Sequence, residues 1–485
     1  MIRARQRHTI LLRLMWAILP VVLGMVTAAG KAEDKQAADE DEGKVSAAKL
    51  QKRFRDAASR AGELLLKLQS PIGKFVDMYS PRHDRKSEIY DWGRHCWAGL
   101  SLLRLHAVSG DKKYLAAAEK AFKLVSSKVQ RVKILGKEYR VLVSKPDDTG
   151  IGKLSGPTVR TDANSLLVIF AAALDEVHKS KGNQALVKDI LNFLQTVVRE
   201  DGIVESKFFL KEKLARFSYW RNDDDAGRIL SALAWGRRVY GDELVNRSVL
   251  GLLAQINVAK LTYGIKVNDL HNLYGWTLVG FSRYPYSQID EETLKAGKDK
   301  LEQGWQKRLE AIRKKVAELK ETKNRYKQYL TMKDFLKQEE LKFKSWKELA
   351  LDKPDKIGKV MNDFVMMLMK NVVMQKQSRY RGSFLAFRGE AIEAARYFSF
   401  LRAVHDFGML KKGDSQEETL AWEAYEAAIG SFLLNNQYSV VQKSFFKTTL
   451  PIEGGLRRYL DLTRKRGDEV TLEGNACFIF ALLGW

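Results

Sequence analysis

The sequence predicts an all-α chain: six helical hairpins closed into an (α/α)6 toroid, interrupted by one inserted long, charged helical arm. Three observations predict it. With 8 prolines in 485 residues and long runs of Ala, Leu, Lys and Glu, the chain favours helix. Its helical segments alternate between two compositions, one amphipathic and one apolar nearly all round, as exposed and buried helices do. Each member of the apolar set opens on a carboxylate, so one kind of side chain recurs at equivalent points of a repeat. A generic helical bundle and an open solenoid are the competing arrangements.

The chain opens on a targeting pattern. Arg3, Arg5 and Arg7 precede an apolar run from Ile10 to Val26, broken by Arg13, and Ala28-Ala29-Gly30 offers a cleavage site. Residues 1–30 are therefore read as an export signal or, alternatively, an N-terminal membrane anchor. Residues 31–46 are charged and poor in apolar side chains, which predicts a disordered leader. The protein is expected in the periplasm or outside the cell.

The first part of the toroid is expected over 47–290 and the second over 351–485. Exposed helices begin near Ala48, Lys113, Asn183, Asp242, Ile357 and Glu417. Buried helices begin near Asp91, Asp162, Asp224, Asp269, Glu390 and Glu473. Gly110-Asp111 and Gly241-Asp242 each read as a glycine C-cap feeding an acidic N-cap. Val132 to Val143 alternates around Gly136 as a β-hairpin does. Over 291–350, Leu301, Trp305, Leu309, Ile312, Val316 and Leu319 fall at helical spacing among dense Lys and Glu. That is the inserted amphipathic arm, with an antiparallel hairpin as its natural form.

The formal net charge is +24, or +20 once Arg3, Arg5, Arg7 and Arg13 leave with the signal. So basic a chain suits polyanionic partners, and export turns the reading from nucleic acid to acidic polysaccharide or anionic lipid. A merely soluble basic surface is the bland alternative. Cys96 and Cys477 occupy equivalent places in the first and last buried helices. If the ring closes they are neighbours, either paired across the seam or buried as free thiols.

In a ring of hairpins the buried helices run parallel, so their acidic starts converge on one face. Each acid alone is explained by capping and by the helix macrodipole. Asp223-Asp224-Asp225 exceeds that need, since three adjacent carboxylates repel and capping takes one. Like charges held together raise a carboxyl pKa, which lets one acid donate a proton while another accepts one. Asp224, Asp225 and Glu390 are thus candidate catalytic groups. Asp91, Asp162 and Glu473 stand at the same ends, with the aromatic rings of Trp92, Trp220 and Trp276 for stacking on sugars. Arg94, Arg228 and Arg381 would suit acidic sugars. Core packing and first-turn capping are the alternatives for all of these. No His/Asp spacing resembles a metal-ligand set, and neither metal nor other cofactor is expected.

An even ring of α/α hairpins with acidic, aromatic inner-helix starts and an export signal resembles the toroid carbohydrate-active superfamily. That group contains six-hairpin glycosidases and α/α-toroid polysaccharide lyases. Paired carboxylates act as acid and base in its hydrolases, which the resemblance carries to Asp224 or Asp225 with Glu390. In its alginate- and heparin-type lyases, a short Asn-His-Tyr cluster neutralises a uronate and removes the neighbouring proton. Asn268-Asp269-Leu270-His271-Asn272-Leu273-Tyr274-Gly275-Trp276 is similar, with wider spacing, and His271 and Tyr274 share one helix face. The resemblance implies an enzyme cleaving a polysaccharide through hydrolysis or β-elimination, and the basic charge of the chain favours an acidic one. The different-class alternative is a non-catalytic envelope scaffold whose 291–350 arm docks a protein or a membrane surface.

Overall fold

The computed structural model describes residues 47–145, 156–202, 204–211, 214–216, 222–241, 276, 279–280, 290–322, 325–347, 365–366, 368–375, 378, 380–384, 390–406, 416–438, 450–458 and 468–485. By its contacts the chain divides into Met1–Arg53 and Phe54–Trp485. The export signal, the leader and the exposed-helix starts at Asp242 and Ile357 lie outside the described residues. So does the buried helix expected from Asp269, apart from Trp276, Val279 and Gly280.

In chain order the helices are α1 (Ala47–Leu68), α2 (Trp92–Ser109), α3 (Lys112–Ser126), α4 (Thr161–His178), α5 (Gln184–Thr196), α6 (Asn222–Tyr240), α7 (Glu291–Glu321), α8 (Tyr326–Lys347), α9 (Ala391–Asp406), α10 (Gln416–Asn435) and α11 (Leu472–Leu483). The two compositions sort as burial requires. In α4 nearly every residue from Thr161 to Ala172 is buried, whereas α3 buries one face through Tyr114, Ala117, Ala118, Ala121, Phe122 and Val125. The local signals set the ends. Asp91 caps α2 by accepting from the backbone N–H groups of Gly93 at 2.8 Å and Arg94 at 3.1 Å. Gly110 closes α2 at φ 71°, a left-handed conformation that a side chain resists, and Asp111 then caps α3.

Within Phe54–Trp485, α2 packs on α4 and α4 on α6, while α9 packs on α11 and α11 returns to α2. That last contact joins the final buried helix to the first, a step that an open solenoid lacks. The outer helices α3, α5 and α10 pack on α2, α4 and α9. The seam is tied further by short strands. β1 (Met78–Ser80) pairs antiparallel with β2 (Arg85–Lys86) and with β8 (Val470–Thr471), which runs straight into α11. Cys96 and Cys477 are both buried and free. Burial pushes both thiols up, Cys477 to about 12, and Trp97 Nε1 donates to the Cys477 sulfur at 3.1 Å.

A second sheet holds β3 (Val129–Ile134), β4 (Lys137–Ser144), β5 (Thr158–Arg160), β6 (Lys207–Phe209) and β7 (Leu214–Arg216), in that order and antiparallel throughout. The β3–β4 hairpin is the one its alternation predicts, turning at Leu135-Gly136. β5 leads directly into α4, so the sheet fixes the backbone at Arg160.

α7 and α8 lie antiparallel: Lys347 pairs with Glu302, Trp305 packs on Phe343, and Arg313 pairs with Glu340. Their root is seated on the body at Gly304. A Cβ there would lie 2.3 Å from the Glu200 carbonyl oxygen, so only glycine allows this approach. Arg308 bridges Asp201 at 4.0 Å and the buried Glu339 at 3.0 Å. Among the described residues, no helix is long and apolar enough to cross a membrane.

Candidate functional site

The starts of the buried helices carry neighbouring groups of ion-paired arginines and carboxylates. Arg160, at the end of β5, donates to Asp91 at 2.7 Å and grips Asp162 through two nitrogens, one at 2.9 Å. This ties the start of α2 to the start of α4. On α2, Arg94 reaches Asp77 at 2.9 Å and Glu473 of α11 at 3.4 Å. Glu473 also accepts from Arg396 of α9 at 2.8 Å, and Arg396 holds both oxygens of Glu393 at 2.8 and 2.9 Å. Arg458 joins Glu390 at 3.3 Å to Glu469 at 3.2 Å. On α6, Arg228 pairs with Asp225 at 3.4 Å and lies 5.7 Å from the centre of the Trp276 ring.

The network separates carboxyls that are chemically alike. Burial drives Glu393 up to about 7; Arg396 opposes this, and the nearby Glu390 and Glu473 add to it. Burial pulls Glu473 the same way, but Arg396, Arg94 and Arg228 outweigh it and hold that carboxyl down to about 2. One guanidinium thus joins a carboxyl that is half protonated near neutrality to one that stays ionised. Asp77 is raised to about 6 by burial, with Arg94 opposing, and among the described residues its buried Oδ1 has no hydrogen-bond partner. Glu393 keeps 14% of its side-chain surface and Glu473 24%, so both are crowded without being fully sealed.

Asp91, Arg94, Asp162, Asp225, Arg228, Glu390 and Glu473 all belong to these ion pairs, and Trp276 lies under Arg228. Asp225 is buried. Asp224 stands in the first turn of α6 with its side chain outside the described set. Trp220, His271 and Tyr274 lie outside the described residues. Trp92 is buried with its ring against Tyr90 at 5.0 Å and His95 at 5.4 Å, and Arg381 is exposed on the Tyr380–Gly382 turn. Sequence reasoning missed Glu393, Arg396, Asp77 and Arg458. For the first two a signal existed: acid and arginine stand three apart in the opening turn of α9, on one helix face. Asp77 and Arg458 carried none, because both come from irregular chain that folding brings to the seam. Among the described residues, no group of three or more His, Cys, Asp and Glu side chains could hold a metal ion.

The solved structure of cellobiose 2-epimerase from Bacillus thermoamylovorans B4167 is similar over 89% of this chain and 98% of its own, with 11% identity and a TM-score of 0.53. The chain has the α/α-toroid fold. A sugar epimerase from a ruminal bacterium is similar over 90% of this chain and 99% of its own, at 10% identity and a TM-score of 0.50. Unsaturated glucuronyl hydrolase from Bacillus sp. GL1 follows at 13% identity and a TM-score of 0.46, over 89% of this chain and 96% of its own. No protein-family model matches the chain, and no curated protein matches it in sequence.

Proposed function

We propose that the chain is an exported carbohydrate-active enzyme that hydrolyses glycosidic bonds of a polysaccharide. The polymer is acidic on the strength of the +24 net charge. One observation carries the reading: Glu393 and Glu473 share Arg396, yet burial raises the first to about 7 while the arginines hold the second down to about 2. Glu393, protonated over the mildly acid range, donates its proton to the glycosidic oxygen as the bond breaks. Glu473 is too weak a base to take a proton from water. Its fixed negative charge instead faces the positive charge that develops at the sugar carbon, as nucleophile or electrostatic partner; water then adds at that carbon and gives its proton to Glu393, ionised in the first step. The fold likeness to sugar-processing enzymes supports a carbohydrate substrate. The seating of the arm root at Gly304 supports a body-bound role for α7 over a free docking arm.

The test is a panel of neutral and acidic polysaccharides, read for new reducing ends, for ultraviolet absorbance of unsaturated ends and for epimerised sugars. Reducing ends alone, abolished in Glu393→Gln, are the expected result. Unsaturated ends would replace hydrolysis by β-elimination and turn attention to His271 and Tyr274. Epimerised products with no cleavage would overturn bond breaking, and silence across the panel would favour the envelope scaffold.

A further inference from the structure

We infer that the sugar whose bond is broken is uncharged, and that any acidic residues of the polymer lie outside this subsite; the inference rests on the hydrolase reading above. Every arginine in the described network is already held by carboxylate. Arg94, Arg160, Arg396 and Arg458 each meet two, and Arg228 meets Asp225. A uronate carboxylate seated here must either displace one of these partners or lie against them, in partly buried surroundings where repulsion is weakly screened. Sugar hydroxyls face neither obstacle. Each donates to a carboxylate oxygen with lone pairs to spare and accepts from guanidinium N–H groups not yet used. Among the described residues, the basic charge of the chain therefore does not extend to this floor. It acts on the polymer at longer range, through the exterior, and salt screens it there.

Glu473 is the residue that excludes the uronate. It occupies Arg94 and Arg396 together, the two guanidinium groups that open alongside it, with side-chain exposures of 37% and 22%. Replacing it with a neutral isostere gives those arginines a vacant face while Asp77 and Glu393 still hold their far sides.

The experiment measures binding of matched tetrasaccharide pairs to the full chain by calorimetry at pH 6.5 and 0.3 M NaCl, where attraction to the exterior is screened. Each pair differs only at C5: β-1,4-glucan against β-1,4-glucuronan, β-1,4-mannan against β-1,4-mannuronan, and α-1,4-galactan against α-1,4-galacturonan. The neutral member is expected to bind at least tenfold tighter in any pair that binds. Glu473→Gln is expected to raise the affinity of the uronate member by tenfold or more. Tighter uronate binding by the wild type, or no uronate gain in Glu473→Gln, would overturn the inference and leave hydrolysis standing. Should Glu473→Gln not fold by circular dichroism, Glu390→Gln frees one side of Arg458 and must give the same direction of change. Failure of every pair to bind would instead sink the reading of this floor as a sugar site.

Discussion

The same buried helices carry two regions of opposite chemistry. At their starts lies the arginine–carboxylate network. Further along, Trp97 of α2 packs against Trp276 at 4.7 Å and Phe480 of α11 at 4.8 Å, and Trp485 closes on Phe480 at 4.6 Å and on Trp235 of α6 at 5.8 Å. Trp485 Nε1 donates to the Ser399 carbonyl of α9 at 2.7 Å and Trp97 Nε1 to the Cys477 sulfur, so rings of α2, α6 and α11 meet around Trp276 and Trp485. Aromatic burial of this kind stabilises by area and by edge-to-face geometry. Burying ions is different: the desolvation cost offsets much of the attraction, and apolar residues of equal volume often do as well. A ring held together by the aromatic region has no structural need of so many charges at its mouth. On the proposed function, the mouth carries the chemistry and the aromatic region most of the packing stability.

The largest expected effect tests the chemical half. Glu393→Gln should reduce turnover by about 10²–10⁴-fold, the usual contribution of a general acid. Above pH 7 its melting temperature should be no lower than that of the wild type. The sign follows from the raised pKa: the folded state resists ionising Glu393, so wild-type stability declines as pH rises from the ordinary carboxylate range through about 7, and glutamine removes that penalty. Wild-type activity should fall along the same limb. A variant that loses its fold as well as its activity would erase the distinction between the regions.

Trp97→Ala tests the other half. Truncating a buried Trp that meets the rings of Trp276, Phe480 and Trp485 should destabilise by about 3–5 kcal/mol in chemical denaturation. Where folded protein remains, it should turn over within a few-fold of the wild type. A hundredfold loss of turnover in a folded variant would place Trp97 in the chemistry.

Glu473→Gln sharpens the boundary through pH. Because the folded-state pKa is depressed, Glu473 contributes stability above its ordinary value of 4.5 that disappears as pH falls through about 2. That contribution is about 3 kcal/mol at neutral pH. The wild type should lose melting temperature across this acid window, while Glu473→Gln starts lower and shows a flatter slope. Equal slopes in the two proteins would mean that Arg94 and Arg396 do not hold the carboxylate as described.

Much of this division was legible in the sequence, and the limits of legibility are physical. Asp91, Asp162 and Glu473 announced themselves because a carboxylate ahead of an apolar helical run is a local pattern. The ring followed from the alternation of two helix compositions. The five-stranded sheet was visible only at β3–β4, where long strands alternate around a turn; β5, β6 and β7 are three residues each, too short to carry a period. Glu390 drew attention as the first acid before α9, yet Glu393, one turn in, is the group that shares Arg396 with Glu473. Choosing between them needs the α9–α11 contact, which no local pattern encodes.

The smallest expected effect falls on Arg228, which belongs to both regions. Its guanidinium pairs with Asp225 and lies over Trp276, and Trp276 packs in turn on Trp97. Arg228→Lys keeps the charge and gives up the planar face. A compact ammonium can still answer Asp225, so the network should hold and turnover should change by no more than a few-fold. The lost stacking is about 0.5–1 kcal/mol, read as a small drop in denaturation midpoint at an unchanged slope. A drop of several kcal/mol would show that the aromatic region depends on the network above it. The two regions would then be one cooperative unit, and the separation of stability from chemistry would not hold at Arg228.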